Sequence, residues 1–163
     1  MKFYPALTYL LIPFAILLGL MNLLSLAFVF VNPSVLIVVF GLTCFTLYAF
    51  SSLRFLNQVV KGDQILTTKF KDWIKVNAIV SFVLCFIFFY DAIYALTANN
   101  VELAKMINEN VLQQPGIPKE YTLDFFLSMF NAIYVLFLII GIIGIVHTTM
   151  TFRLLKRHYT ITE

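Results

Sequence analysis

Four long apolar runs separated by short polar stretches dominate the hydrophobic pattern of this chain, at residues 4–31, 35–56, 76–98 and 122–149. A helix needs about 20 mostly apolar residues to cross roughly 30 Å of hydrocarbon, and each run has that length. A segment surrounded by lipid must satisfy its own backbone groups, so all four are predicted to be helical. The expected fold is an all-α integral membrane protein, with four transmembrane helices in an antiparallel bundle forming one membrane domain over residues 1–163.

The polar punctuation refines this picture. Only "VNPS", residues 31–34, separates the first two runs, so they are expected to be antiparallel neighbours. Pro13 removes a backbone donor and predicts a bend in the first helix. The second helix is expected to leave the membrane through "SSLRFLNQVVKG" and stop at Gly62. In the connection 57–75, Thr67 or Thr68 is a candidate N-cap for the third helix, and Trp73 lies where an aromatic anchor meets the interface. The connection 99–121 carries a short helical pattern (Val101, Ala104, Ile107, Val111, interrupted by Asn108) before a Pro-Gly-Ile-Pro turn at 115–118. "YDAIYAL" at 90–96 resembles "FNAIYVL" at 130–136, but the copies fall on antiparallel neighbours, where a duplicated hairpin would not place them; they read as chance.

Composition agrees with the pattern. The chain has 163 residues, 61% hydrophobic and 12% charged, with a mean hydropathy of +0.94, whereas soluble domains are about half apolar and a quarter charged. Ser25-Leu26-Ala27 looks like a signal-peptide cleavage site, yet the apolar run before it far exceeds the about 7–15 residues of a signal core, so a retained helix is expected. Cys44 and Cys85 lie inside apolar runs with no CxxC or zinc spacing, and read as packed small side chains.

Charge sets the expected orientation. Lys2, Arg54, Lys61, Lys69, Lys71, Lys75, Arg153, Lys156 and Arg157 fall on one side, against Lys105 and Lys119 on the other. The positive-inside rule then places both termini, the connection 57–75 and the tail 150–163 in the cytoplasm, and 99–121 outside. The basic tail "FRLLKRHYTITE" is explained by that retention signal, with anionic-lipid recognition as the functional alternative. Arg54 can snorkel to the cytoplasmic surface.

Soluble-enzyme signatures are missing: there is no glycine-rich phosphate loop, HExxH or GxSxG. Of the two histidines, His147 lies about 25 residues into the last run and is expected at the cytoplasmic interface; no facing pair exists for a bis-histidine haem. Polar residues within the runs carry more. Counted from the predicted outer ends, Asn22, Thr43, Asp91 and Asn131 all lie roughly 10–14 Å deep. Ser25, Ser128 and Tyr94 sit three residues from Asn22, Asn131 and Asp91 respectively, on the same helix faces. Together these seven residues form a candidate intramembrane polar layer, since a carboxylate in hydrocarbon costs several kcal/mol and usually faces a bundle interior or water. Gly141 and Gly144 in "IIGIIGIVH" are expected to let helices pack closely.

The stretch "LRFLNQVVKGDQILTTKFKDWIKVNAIVSF" resembles the connecting segment of small four-helix bacterial membrane proteins, through its Lys-Gly turn and scattered lysines. That resemblance implies a bacterial inner (cytoplasmic) membrane and no particular activity. Quinone-linked disulfide enzymes and glutathione-using membrane enzymes are disfavoured, because their cysteine and charged-helix signatures are missing. The leading expectation is a non-enzymatic accessory or assembly subunit, with the lipid bilayer and a membrane-protein partner or second copy as its partners, and with no nucleic acid, cofactor or metal. The alternative is a small oligomeric channel or carrier using Asp91 as an intramembrane proton or cation site.

Overall fold

Helices form at all four apolar runs, with one shorter helix between the last two. The computed structural model describes residues 3–62, 64–97, 101–113 and 122–160. The elements are α1 (Phe3–Val29), α2 (Val35–Phe55), α3 (Thr68–Thr97), α4 (Val101–Ile107) and α5 (Leu123–Thr160), with single π-helical turns at Leu56–Val60 and Asn108–Leu112. Among the described residues all regular structure is helical, and α1, α2 with its π turn, α3 and α5 are each long and apolar enough to cross a membrane. The Pro-Gly-Ile-Pro turn lies outside the described residues.

Each long helix has its own packing seam. On α1 the buried residues are Tyr4, Thr8, Leu11, Ala15, Leu18 and Asn22, spaced alternately by four and three. That spacing keeps one stripe on one side of a helix and is the seam used by closely packed bundles. On α3 Ile74, Ala78, Ser81, Cys85 and Ala92 follow the same rule. Half of α2's most apolar window is buried (50%) against about a fifth of α1's (22%). Accordingly α2 packs against both α1 and α3, while α5 packs against α3, α1 and α4. The outward residues, Leu24, Phe28, Ile37 and Phe40 among them, are apolar and exposed, as a lipid-facing surface requires.

Hydroxyls inside these helices are satisfied locally. Ser25 donates to the Met21 carbonyl, Thr46 to Leu42, Ser81 to Asn77 and Thr148 to Gly144, so a hydroxyl can face hydrocarbon without an orphaned proton. α1 runs unbroken past Pro13. "VNPS" turns by an Asx bond, the Ser34 N–H donating to Asn32 Oδ1 at 3.0 Å. Helical structure continues from α2 through the π turn to Val60 and stops just before Gly62, where a Cβ would come within 2.8 Å of the Gln58 carbonyl oxygen and 2.9 Å of Asn57's.

Two helices differ from the apolar runs. α3 begins at Thr68, beside the candidate N-caps Thr67 and Thr68 and eight residues before its apolar run starts at 76, with the Thr67 carbonyl accepting the Lys71 N–H at 3.0 Å. α5 continues to Thr160, taking in most of the expected tail. Hydropathy detects only the lipid-facing part of a helix, and the lysines and arginines on both extensions are good helix formers in water. Trp73 therefore sits within the first turns of α3 and is half exposed.

α5 seats on α3 through its glycines. A Cβ at Gly141 would lie 2.9 Å from both the Cys85 carbonyl oxygen and Phe89 Cβ, and one at Gly144 would collide with Cys85 Sγ. Phe88 and Phe137 stack across the same interface with centroids 4.7 Å apart. Cys44 and Cys85 are both buried free thiols.

Candidate functional site: a buried His147 cluster and a divided polar layer

Among the described residues, an enclosed polar cluster forms where α1, α2 and α5 meet. Tyr4 and Thr8 lie four residues apart on α1, His147 and Thr151 four apart on α5, and Tyr48 enters from α2. Thr8, Tyr48, His147 and Thr151 are fully buried, and Tyr4 is 1% exposed. His147, near the end of the last apolar run, is thus enclosed by the bundle.

The hydrogen positions follow from the donor count. Thr8 has one hydroxyl hydrogen, directed to the Tyr4 carbonyl at 2.8 Å. His147 Nε2, 2.9 Å from Thr8 Oγ1, must therefore supply the hydrogen of that contact. In the neutral imidazole this leaves Nδ1 as an acceptor, and the Tyr48 hydroxyl donates to it at 2.7 Å. Thr151 has one hydroxyl hydrogen, shared between the Tyr48 oxygen at 2.8 Å and the His147 carbonyl at 3.0 Å, and its Oγ1 lies 3.3 Å from the Tyr4 hydroxyl, whose own hydrogen can complete that contact. One path of hydrogen bonds therefore leaves α1 at Tyr4, crosses His147 and Tyr48, and returns to Tyr4 through Thr151. The Tyr4 ring stacks on the imidazole, centroids 4.9 Å apart and planes 9° from parallel, and the Tyr48 ring meets it edge-on at 5.5 Å. A fully satisfied network of this kind fixes three helices in one register. Its side chains include no carboxylate or thiol, and no cluster of His, Cys, Asp or Glu among the described residues is arranged to hold a metal ion.

The signal for this site was present in the sequence. Two polar pairs at i,i+4, Tyr4/Thr8 and His147/Thr151, occur in otherwise apolar runs, and that spacing stacks each pair on one helix face.

The candidate polar layer is divided in the structure. Asn22 Nδ2 donates to Thr43 Oγ1 at 2.8 Å, and Thr43 donates to the Val39 carbonyl at 2.8 Å, which joins α1 to α2. Asn22 Oδ1 is buried without a hydrogen-bond partner. This pair borders a lipid-side groove of about 470 Å³ between α1 and α2, floored by Ala15 and Gly19 and walled by Thr46 and Phe50. Ser25 is half-buried and bonded to its own helix. Asp91, Tyr94 and Ser128 are exposed and Asn131 is half-buried; among the described residues no hydrogen bond joins any of them to Asn22 or Thr43.

The physical reason is azimuth. Equal depth puts residues at one height, but the seam of each helix decides which way they face. Ala92 is on the α3 seam; Asp91 is one residue and about 100° away from it, and Tyr94 two residues and about 200°. Asn22 faces inward because it is the last member of the α1 stripe.

Two basic side chains near the α2–α3 connection, Lys61 and Arg54, meet neutral partners. Lys61 Nζ donates to the Tyr9 hydroxyl at 3.2 Å and Arg54 Nε to Gln58 Oε1 at 2.8 Å, with the Arg54 guanidinium 5.1 Å from the Phe70 ring centre.

Fold and site together define an all-helical protein with four helices long and apolar enough to span a membrane and a polar centre sealed inside. No protein-family model matches the chain, and no match is found among curated proteins or solved structures.

Proposed function

We propose that this chain is a multi-pass membrane protein of the bacterial cytoplasmic membrane, with both termini cytoplasmic, that works as a non-enzymatic accessory or assembly subunit packed against another membrane protein. The observation that carries this reading is the position of Asp91. Its carboxylate is on the outside of α3, seven residues from where the helix enters its terminal connection, or roughly 10 Å along the axis. Tyr90 and Tyr94 beside it are each 63% exposed, and exposed Phe86 and Ile87 continue the same surface toward the membrane centre. A carboxylate facing hydrocarbon costs up to about 2.5–3.5 kcal/mol on insertion scales. A partner helix presenting Lys, Arg or a hydrogen-bond donor at that height removes the cost and gains specificity, and Tyr rings supply rigid contact area. The inward polar groups, by contrast, are bonded among themselves and to their own helices, apart from Asn22 Oδ1.

The test is photo-crosslinking from position 94 in native membranes, followed by gentle extraction and sizing. A discrete adduct that disappears with Asp91→Asn is expected. A strictly monomeric protein that yields no adduct from position 94, when the same probe reports lipid at every exposed α3 position, overturns the reading.

The exposure of Asp91 also supports a second reading, in which copies of the chain assemble and Asp91 lines a passage between them as a proton or cation residue. Flux through reconstituted vesicles separates the two: wild type and Asp91→Asn conduct differently only in the second.

A further inference from the structure

We propose that the groove between α1 and α2 is the contact surface of a two-fold dimer of this chain, in which the Asn22 amides of the two copies pair with each other. Ile16, Gly19, Leu23 and Leu26 of α1 line the groove together with Asn22 and Thr43. Those four residues recur at spacings of three, four and three, which keeps them on the kind of stripe along which one helix packs on another. They run beside the inward stripe that ends at Asn22, so α1 carries one seam toward its own bundle and a second toward the lipid. Ile16, Leu23 and Leu26 are exposed, and Gly19 keeps the floor between them low enough for a second helix to approach closely.

An apolar seam in lipid has little preference for one neighbour over another. Asn22 supplies the preference. It is only 8% exposed, and its Nδ2 gives one hydrogen to Thr43 Oγ1. The Thr43 hydroxyl hydrogen goes to the Val39 carbonyl, which fixes the amide with Nδ2 toward Thr43. Among the described residues this leaves the second Nδ2 hydrogen and the buried Oδ1 without partners. Asn22 lies seven residues from the end of α1 at Val29, or roughly 10 Å along the axis. Hydrocarbon at that depth offers neither donor nor acceptor, so the missing partner has to be another protein group.

Two properties single out a second copy. The unused donor and acceptor belong to one amide, which makes it complementary to itself: each Nδ2 can donate to the other copy's Oδ1. Copies inserted in one orientation and related by an axis along the membrane normal also hold their Asn22 residues at identical height, a match that symmetry supplies without further design. The exposed leucines over the groove, Leu20 and Leu23, can change rotamer as the second helix seats and open the way to the amide. The surface uses α1 and α2 and does not rest on Asp91, which is on α3.

Photo-crosslinking from position 23 in native membranes is expected to give an adduct of two copies, and none of that kind from position 142 on the exposed side of α5. In vesicles, energy transfer between labelled copies over a range of protein-to-lipid ratios measures the same association. Asn22→Leu should weaken it about tenfold, as expected for two interhelical hydrogen bonds. In dilute mixed micelles, where the copies separate, Oδ1 is again unpaired, so the same variant should leave unfolding there little changed; that measurement distinguishes lost pairing from a folding defect. Adducts from position 23 to lipid alone or to a different protein, equal association of wild type and Asn22→Leu, or equal self-crosslinking from position 142 would overturn the dimer.

Discussion

Tyr48→Phe is the sharpest probe of the buried cluster because it deletes one oxygen and leaves the ring, so no cavity complicates the result. The Tyr48 hydroxyl bridges His147 Nδ1 at 2.7 Å and Thr151 Oγ1 at 2.8 Å. Its removal leaves the Nδ1 lone pair buried with no donor, a cost of about 1–3 kcal/mol for a neutral group. Interhelical hydrogen bonds in membrane proteins average about 0.6 kcal/mol and reach about 1.7, so two lost together place the loss at about 1–3 kcal/mol. Thr8→Val, on the opposite ring nitrogen, removes the acceptor of the Nε2 hydrogen with little change in volume. The two hydroxyls share no contact with each other and are linked most directly through the imidazole. If the network acts as one unit, the double variant departs from additivity by at least about 0.5 kcal/mol. Stability measured by steric trapping or by unfolding in mixed micelles provides these numbers. Nitrogen NMR of labelled His147 adds an independent readout: one tautomer with hydrogen on Nε2 is expected in the wild type, and loss of the hydrogen bond at Nδ1 in Tyr48→Phe. A loss below about 0.3 kcal/mol, strict additivity, or hydrogen on Nδ1 alone would refute the hydrogen-bond path.

Gly144→Ala should destabilise by about 1–3 kcal/mol, as overpacking does, because the new methyl meets Cys85 Sγ; Cys85→Ala in the same chain should restore part of the loss, since the next obstacle, Cys85 Cβ, lies at 3.2 Å. Gly19→Ala, whose Cβ would meet only Thr46 at 3.5 Å, should change stability by less than about 0.5 kcal/mol; comparable effects at both glycines in the same unfolding assay would contradict the packing described for α3 and α5. Asn22→Leu removes one hydrogen bond together with an orphaned carbonyl oxygen, so unfolding should show a change within about 1 kcal/mol of zero; a large loss would mean that Oδ1 has a donor in the membrane. Asp91→Asn should leave the stability of the isolated chain within about 0.5 kcal/mol of wild type, while abolishing the adduct from position 94.

The spans, and with them the all-helical class, were legible in the chain because lipid imposes a simple length rule: about 20 apolar residues per crossing and no unsatisfied backbone. So were the tight turn at residues 31–34, the stop at Gly62, and the close approach promised by Gly141 and Gly144. Each depends on local chemistry or on spacing along one helix. Helix ends were less legible, since α3 and α5 continue where polar residues take over and hydropathy no longer reports on helix.

Only the tertiary structure decided which residues face one another. Asn22, Thr43, Asp91 and Asn131 share a height, yet the seams bring together just the first two and turn Asp91 outward. His147 lies near the end of an apolar run, which sets its height; its burial depends on Tyr4 and Thr8 from α1 and Tyr48 from α2, more than ninety residues away in sequence. Depth along a helix is a sum over consecutive residues and can be counted from sequence. Azimuth is set by the packing of neighbouring helices, which a count along one helix does not contain.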